Sequence, residues 1–103
     1  ARSAGILAGK KTSELIPLCH NINLTFIEID FKINEKKLTI EILSKVKSNS
    51  KTGVEMEALV SSSIASLTIY DMCKSIDKEI QIIETKLIYK SGGKSGVFSN
   101  DSF

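Results

Sequence analysis

Two stretches in which apolar and charged residues alternate constrain the fold of this 103-residue chain more than any other feature. Residues 25–34 and 38–47 each place an apolar side chain at nearly every second position, which is the period of a half-buried β-strand. These positions are Ile27, Ile29, Phe31 and Ile33 in the first stretch and Leu38, Ile40, Ile42 and Val46 in the second. Since the connecting residues 34–37 are polar, the pattern predicts an antiparallel β-hairpin.

Helical patterns lie on both sides of the hairpin. Residues 2–16 are rich in alanine and glycine and predict one short helix, which Pro17 ends because proline disfavours helical backbone before it. From Thr52 to about residue 75 apolar side chains recur at helical spacing, and Thr52 with Glu55 matches a capping box. The β-branched residues within 79–89 predict a third strand.

The order of these elements is helix, strand, strand, helix, strand. It predicts an α+β domain of the ferredoxin-like type, an antiparallel sheet with helices on one face. A strand ahead of residue 1 would complete the β-α-β-β-α-β pattern, so we expect residues 1–103 to form a single domain that is truncated at its N-terminus. The other sheet face carries Leu24, Phe26 and Leu43 among charges, which predicts contact with another subunit.

Composition excludes several classes of protein. Fourteen Lys and Arg against twelve Asp and Glu give a net charge of +2, too small to indicate a nucleic-acid or membrane-surface binder. The longest uncharged apolar-rich stretch, residues 58–70, is too short to cross a bilayer. Cys19 and Cys73 form no C-x-x-C motif, which argues against a disulfide scaffold or zinc ribbon and fits a reducing cytosol.

Few residues stand out as candidates for chemistry. His20, the only histidine, lies in an irregular link where functional groups are often found, although a lone histidine is more often a surface or core residue and makes no metal site. Glu55 and Glu57 open the long helix, where acids also simply complement the helix dipole. Asp71 and Lys74 are three residues apart near its end, where an ion pair or a functional pair is equally compatible with the pattern.

Helix geometry links two of these candidates. Glu57 and Asp71 are fourteen residues apart and so lie on nearly the same face, but about 21 Å apart along the axis. The two side chains cannot share a small-molecule pocket within one chain. If both are functional, a second subunit related by a two-fold axis must bring its own helix alongside.

Lys90 and Lys94 flank a pair of glycines in residues 90–96. Glycines let backbone N–H groups approach an anion and lysines add charge, so phosphate contact and a solvated tail both remain open. The segment is not a P-loop, because that motif requires glycine where Ile88 stands. Phe26 and Phe31 lie on opposite faces of one strand, which argues against an RNA-binding sheet.

Four motifs together resemble one family. Residues 15–20 (LIPLCH), 51–59 (KTGVEMEAL), 67–74 (LTIYDMCK) and 90–96 (KSGGKSG), in this order and spacing, closely resemble the cyclic pyranopterin monophosphate synthases of molybdenum-cofactor biosynthesis. The resemblance implies a cytoplasmic, ferredoxin-like homohexamer, a trimer of dimers with its site at the dimer interface. The implied lyase reaction converts 3',8-cyclo-7,8-dihydroguanosine 5'-triphosphate into cyclic pyranopterin monophosphate and pyrophosphate.

The resemblance also implies roles for particular residues. Asp71 and Lys74 correspond to an acid/base pair and Lys90 to a further catalytic lysine. The implied substrate contacts are Leu18, Cys19, His20, Glu55, Met56, Glu57 and Lys94. No redox cofactor or resident metal is implied, with magnesium expected only as a companion of the triphosphate. The alternative is a non-catalytic member that binds a nucleotide or partner, because Asn21 stands where the family typically has proline.

Overall fold

The hairpin is the centre of the fold. A computed structural model describes residues 1–92 and 96–99. Strand β1 (Leu24–Asn34) pairs antiparallel with β2 (Thr39–Ser48), with Ile29 opposite Ser44 and a register shift between Leu24 and Phe26. In the turn, the Oδ1 atom of Asn34 accepts hydrogen bonds from two backbone N–H groups, as asparagine often does in turns. The predicted hairpin is confirmed.

The N-terminal helix is shorter than expected. We predicted one helix over residues 2–16, but the structure divides it into α1 (Arg2–Lys10) and α2 (Thr12–Leu15). The break is at Lys11, whose ψ of 19° leaves the helical region. The Thr12 hydroxyl donates a hydrogen bond of 2.8 Å to the Gly9 carbonyl and so gives a partner to a backbone carbonyl in the last turn of α1.

The long helix α3 (Glu55–Cys73) begins and ends inside the predicted range. The predicted capping box is wrong: Val54 is the N-cap residue and no side chain caps the helix. Hydroxyl groups in the preceding loop explain this difference. Ser50 Oγ accepts a hydrogen bond from the Thr52 backbone N–H, which keeps Thr52 in a loop turn, two residues before the N-cap.

Both main helices pack on one face of the hairpin. Helix α1 lies against β1 and α3 lies against β2, while the two helices contact each other. Ile29 is only 1% exposed between them. Glycine makes this close approach possible, because a Cβ atom on Gly5 would lie 2.8 Å from the Ser61 carbonyl oxygen. The predicted α+β class is confirmed, and the arrangement is compatible with a ferredoxin-like fold.

The predicted third strand over residues 79–89 is wrong. Residues 79–88 form no strand, and only β3 (Tyr89–Lys90) pairs, with β4 (Phe98–Ser99), in a separate two-stranded sheet. A strand needs a neighbouring strand to pair with, and none of the described strands pairs with residues 79–88. Ile82 and Ile83 are accordingly exposed. Within residues 1–92 and 96–99, no helix combines the length and apolar character needed to span a membrane.

Candidate active site

Glu55 and Lys90 form an ion pair at the start of α3. The Lys90 Nζ atom donates a hydrogen bond of 3.2 Å to Glu55 Oε1. Strand β3 carries Lys90 to this position from 35 residues further along the chain. The two side chains are largely enclosed, with 16% of Lys90 and 31% of Glu55 exposed. We call Glu55 and Lys90 the inner pair.

Glu57 lies one residue beyond Met56 in the first turn of α3 and is only 5% exposed. Burial raises the pKa of the Glu57 carboxyl, the negative charge of Glu55 raises it further, and a hydrogen bond from its own backbone N–H partly opposes both. A carboxyl group of this kind keeps its proton to higher pH than an exposed one. The raised pKa comes from burial in the first turn of α3 and does not by itself assign Glu57 a role.

Asp71 and Lys74 form a second ion pair at the other end of α3. Lys74 Nζ lies 3.0 Å from Asp71 Oδ1, and 54% of Lys74 and 70% of Asp71 are exposed. The hydrogen bond to the Asp71 carboxylate, followed by its charge, raises the pKa of Lys74. The ion pair that the three-residue spacing allowed is present. We call Asp71 and Lys74 the outer pair.

The link between α2 and β1 carries the third group of candidates. Leu18 has a φ angle of 67° and is 99% exposed, while Cys19 donates its backbone N–H to the Ile16 carbonyl. His20 lines an open groove of about 510 Å³ with polar residues of the loop after β2. The groove is lined on that side by Ser48, the last residue of β2, and by Asn49, Ser50 and Thr52 of the loop that follows.

The structure thus unites some candidates and separates others. Glu55 and Lys90 are in contact at the start of α3, and Glu57 lies in the same first turn. The outer pair lies at the other end, about 21 Å from Glu57 along a continuous helix. Lys94 lies outside the described residues. In the described part of the chain, no group of three or more His, Cys, Asp or Glu side chains is placed to hold a metal ion.

Sequence reasoning missed two features of the site. It paired Glu55 with the helix N-cap and Lys90 with phosphate, but not the two side chains with each other. No local pattern signals a contact between residues 35 positions apart in sequence. The groove beside His20 was also missed, because its two walls come from separate loops.

Comparison with known proteins shows which family the chain belongs to. The family model described as the MoaC family matches residues 1–93. The chain belongs to the MoaC family. The match spans both ion pairs, the His20 link and the hairpin, so the resemblance noted from the four motifs is confirmed.

Two curated relatives of this MoaC-family chain carry the same name. The chain is 57% identical over 98% of its length to the "Cyclic pyranopterin monophosphate synthase" of Clostridium botulinum (strain Alaska E43 / Type E3), and covers 64% of that protein. It is 55% identical over 93% of its length to the protein of the same name from Heliobacterium modesticaldum, covering 60% of it. The chain therefore spans about three fifths of the length of the relatives it matches.

Proposed function

We propose that the complete protein is a cyclic pyranopterin monophosphate synthase, a lyase of molybdenum-cofactor biosynthesis. Its substrate would be 3',8-cyclo-7,8-dihydroguanosine 5'-triphosphate, and its products cyclic pyranopterin monophosphate and pyrophosphate. The observation that carries this proposal is the family match over residues 1–93, with relatives of that name at 50–57% identity. The non-catalytic alternative is not favoured, because the charged residues of both pairs are all present.

The two ion pairs suit the two parts of this reaction. Rebuilding the purine-derived ring into a pterin requires several proton transfers, for which Asp71 and Lys74 supply an acceptor and a donor. In the phosphate step, a substrate oxygen bonds to the α-phosphorus as the bond to the β-phosphate breaks and pyrophosphate leaves. Lys90 is proposed to offset the negative charge that develops there.

The remaining candidates would hold the substrate. We propose that Leu18, Cys19 and His20 contact it from the link before β1, and Glu55, Met56 and Glu57 from the first turn of α3. Lys94 is proposed as a further phosphate contact. The reaction is proposed to need no redox cofactor and no resident metal, with magnesium entering only as part of the triphosphate substrate.

An oligomer would assemble the complete site. The outer pair is exposed and lies a helix length from the inner pair, so one chain alone does not surround a substrate with both. We propose a two-fold dimer in which the end of α3 in one subunit meets the start of α3 in its partner. Three such dimers would form a cytoplasmic hexamer.

Replacing Asp71 tests the proposed activity directly. The complete protein is incubated with the cyclic dihydro-GTP intermediate, and pyrophosphate and pterin product are quantified by chromatography and mass spectrometry. We expect Asp71→Asn to lower kcat by about 10²–10⁴-fold, the usual contribution of a proton-transferring group.

The matched control is Asp77→Asn. Asp77 is also exposed and follows α3, and its Oδ1 atom accepts a local hydrogen bond from the Glu79 backbone N–H, which asparagine can keep. Wild-type turnover in Asp71→Asn would contradict the role of Asp71. Absence of turnover in the wild type would contradict the proposed function, and a purely monomeric native mass would contradict the shared site.

A further inference from the structure

We propose that Gly53 is a positioning residue, whose missing side chain leaves the space in which the inner pair forms. The catalytic consequence of this inference rests on the proposed function, whereas the arrangement itself does not. Gly53 lies in the loop before α3, two residues from Glu55.

The contacts around Gly53 support this role. A Cβ atom on Gly53 would lie 2.6 Å from Glu55 Oε2, 2.9 Å from Lys90 Cε and 3.5 Å from Lys90 Nζ. Carbon atoms at such distances overlap with their neighbours, so one or both side chains would have to move. All of the atoms in closest contact belong to the inner pair. The space at Gly53 is therefore matched to the pair and not to the surrounding fold.

Backbone conformation does not explain the glycine. Among the described glycines, positive φ angles occur at Gly92 and Gly96 only, so Gly53 adopts a backbone that other residues also tolerate. The reason for a glycine here is the room that it leaves. Glu55 Oε2 is buried on this side and accepts no hydrogen bond from the described residues, so a methyl group would meet a carboxylate oxygen with no other anchor.

A second glycine shows what a packing role looks like. A Cβ atom on Gly5 would meet the Ile29 side chain at 2.5 Å and the backbone oxygen of Ser61 at 2.8 Å. Backbone in the middle of α3 cannot move aside without disturbing the core. At Gly53 the obstacles are instead the far ends of two flexible side chains. Alanine at position 53 should therefore displace the inner pair while the fold stays intact.

The experiment compares Gly53→Ala with Gly5→Ala in the complete protein. We expect Gly53→Ala to lower Tm less than Gly5→Ala does, because only the inner pair is displaced, while kcat/KM falls about 100-fold, the loss that a displacement of about 1 Å can cause in an active site. Gly5→Ala, the matched control, should lower Tm. A fall in Tm for Gly53→Ala as large as that of Gly5→Ala would overturn the positioning role.

Two further measurements separate positioning from general damage. Reaction of Lys90 with an amine-specific reagent, followed by peptide mass spectrometry, should be faster in Gly53→Ala, because the displaced amine is more accessible. In a double-mutant cycle, Gly53→Ala should add no loss of kcat/KM to Glu55→Ala, since both act through the same pair. Unchanged labelling of Lys90, or additive losses, would overturn the inference.

The labelling result does not depend on the reaction. If the wild type fails to convert the cyclic dihydro-GTP intermediate, the proposed function is wrong, and faster labelling of Lys90 in Gly53→Ala would still establish the positioning role. If the wild type is active and Gly53→Ala has wild-type kcat/KM and labelling, the positioning inference alone is wrong.

Discussion

The two ends of α3 carry similar chemistry in different surroundings. Each has one carboxylate and one lysine within 3.2 Å. The outer pair, Asp71 and Lys74, comes from one helical turn and is more than half exposed. The inner pair, Glu55 and Lys90, joins residues 35 positions apart and is mostly enclosed. One end of the helix is thus shaped by tertiary structure and the other by helix geometry alone.

This difference indicates how each end obtains its function. At the inner end, the loop with Gly53 and strand β3 already fix where the lysine and the carboxylate meet. At the outer end, solvent screens the pair, and an exposed ion pair of this kind holds its geometry weakly. The outer pair would become an effective acid/base pair only when another surface covers it, as in the proposed dimer.

Of the changes that test how the two ends of α3 differ, replacing Lys90 should give the largest effect, because it alters both activity and stability. In the complete protein, we expect Lys90→Gln to lower kcat/KM by about 10²-fold or more, because a positioned charge is lost from the phosphate step. The free energy of unfolding should also fall, since Glu55 would remain largely enclosed without its cation. Turnover assays and urea denaturation measure the two effects.

Lys36→Gln is the control for this prediction. Lys36 is exposed in the hairpin turn, where its backbone N–H donates to Asn34 Oδ1, a bond that glutamine keeps, so its replacement should change neither quantity. If Lys90→Gln lowered activity without any loss of stability, the inner pair would be no better integrated into the fold than the outer pair.

The sequence predicted those parts of the molecule that local patterns determine. Alternation at Ile27, Ile29 and Phe31 located the hairpin and the part of its face that the helices cover, with Ile29 fully buried there. The same pattern predicted burial for Ile33, Leu38 and Ile40, which the structure leaves exposed. The three-residue spacing of Asp71 and Lys74 located the outer pair, because residues three apart on a helix are neighbours. Periodicity within an element is a local property and needs no knowledge of the rest of the fold.

Other features depend on contacts that no local pattern encodes. The capping box failed because Thr52 had a competing partner in Ser50, and the contact of Glu55 with Lys90 is a tertiary one. Residues 79–88 have the composition of a strand, but a strand forms only where a neighbour offers hydrogen bonds. The same limit applies to the groove beside His20, which needs two loops to be placed correctly.

Replacing Glu57 should have a smaller effect, on the pH dependence of the free energy of unfolding. It tests whether burial at the start of α3 alters the titration of a carboxyl group there. Burial raises the pKa of Glu57 above its ordinary value of 4.5 in the folded state. The ordinary value of 4.5 describes the unfolded state, and the folded state has the higher pKa. Between these two pH values the folded state binds more protons than the unfolded state, so the free energy of unfolding falls as pH rises. Glu57→Gln removes this titration and should lose less stability over the same interval.

Urea denaturation of the wild type and Glu57→Gln, from below pH 4.5 upward, measures this difference. Glu14→Gln is the control, since Glu14 is exposed near the start of α2 and its replacement should leave the pH profile of the wild type unchanged. Parallel profiles for the wild type and Glu57→Gln would show that burial does not raise the pKa of the Glu57 carboxyl.

The smallest effect on the free energy of unfolding should follow replacement of Lys74, because the fold gains least from the outer pair. The raised pKa of Lys74 means that its link to Asp71 favours the folded state below about pH 10.5 and is lost as pH rises through the higher folded-state value. Exposure to solvent and salt leaves that contribution too small to matter, so Lys74→Gln should unfold at the wild-type urea concentration at low and high salt. The chain of residues 1–103 suits this measurement, since Asp71 lies in the last turn of α3 and Lys74 follows the helix directly as its C-cap. A clear shift in the unfolding midpoint would mean that the outer end is as firmly integrated as the inner one, and the proposed need for a covering subunit would lose its physical basis.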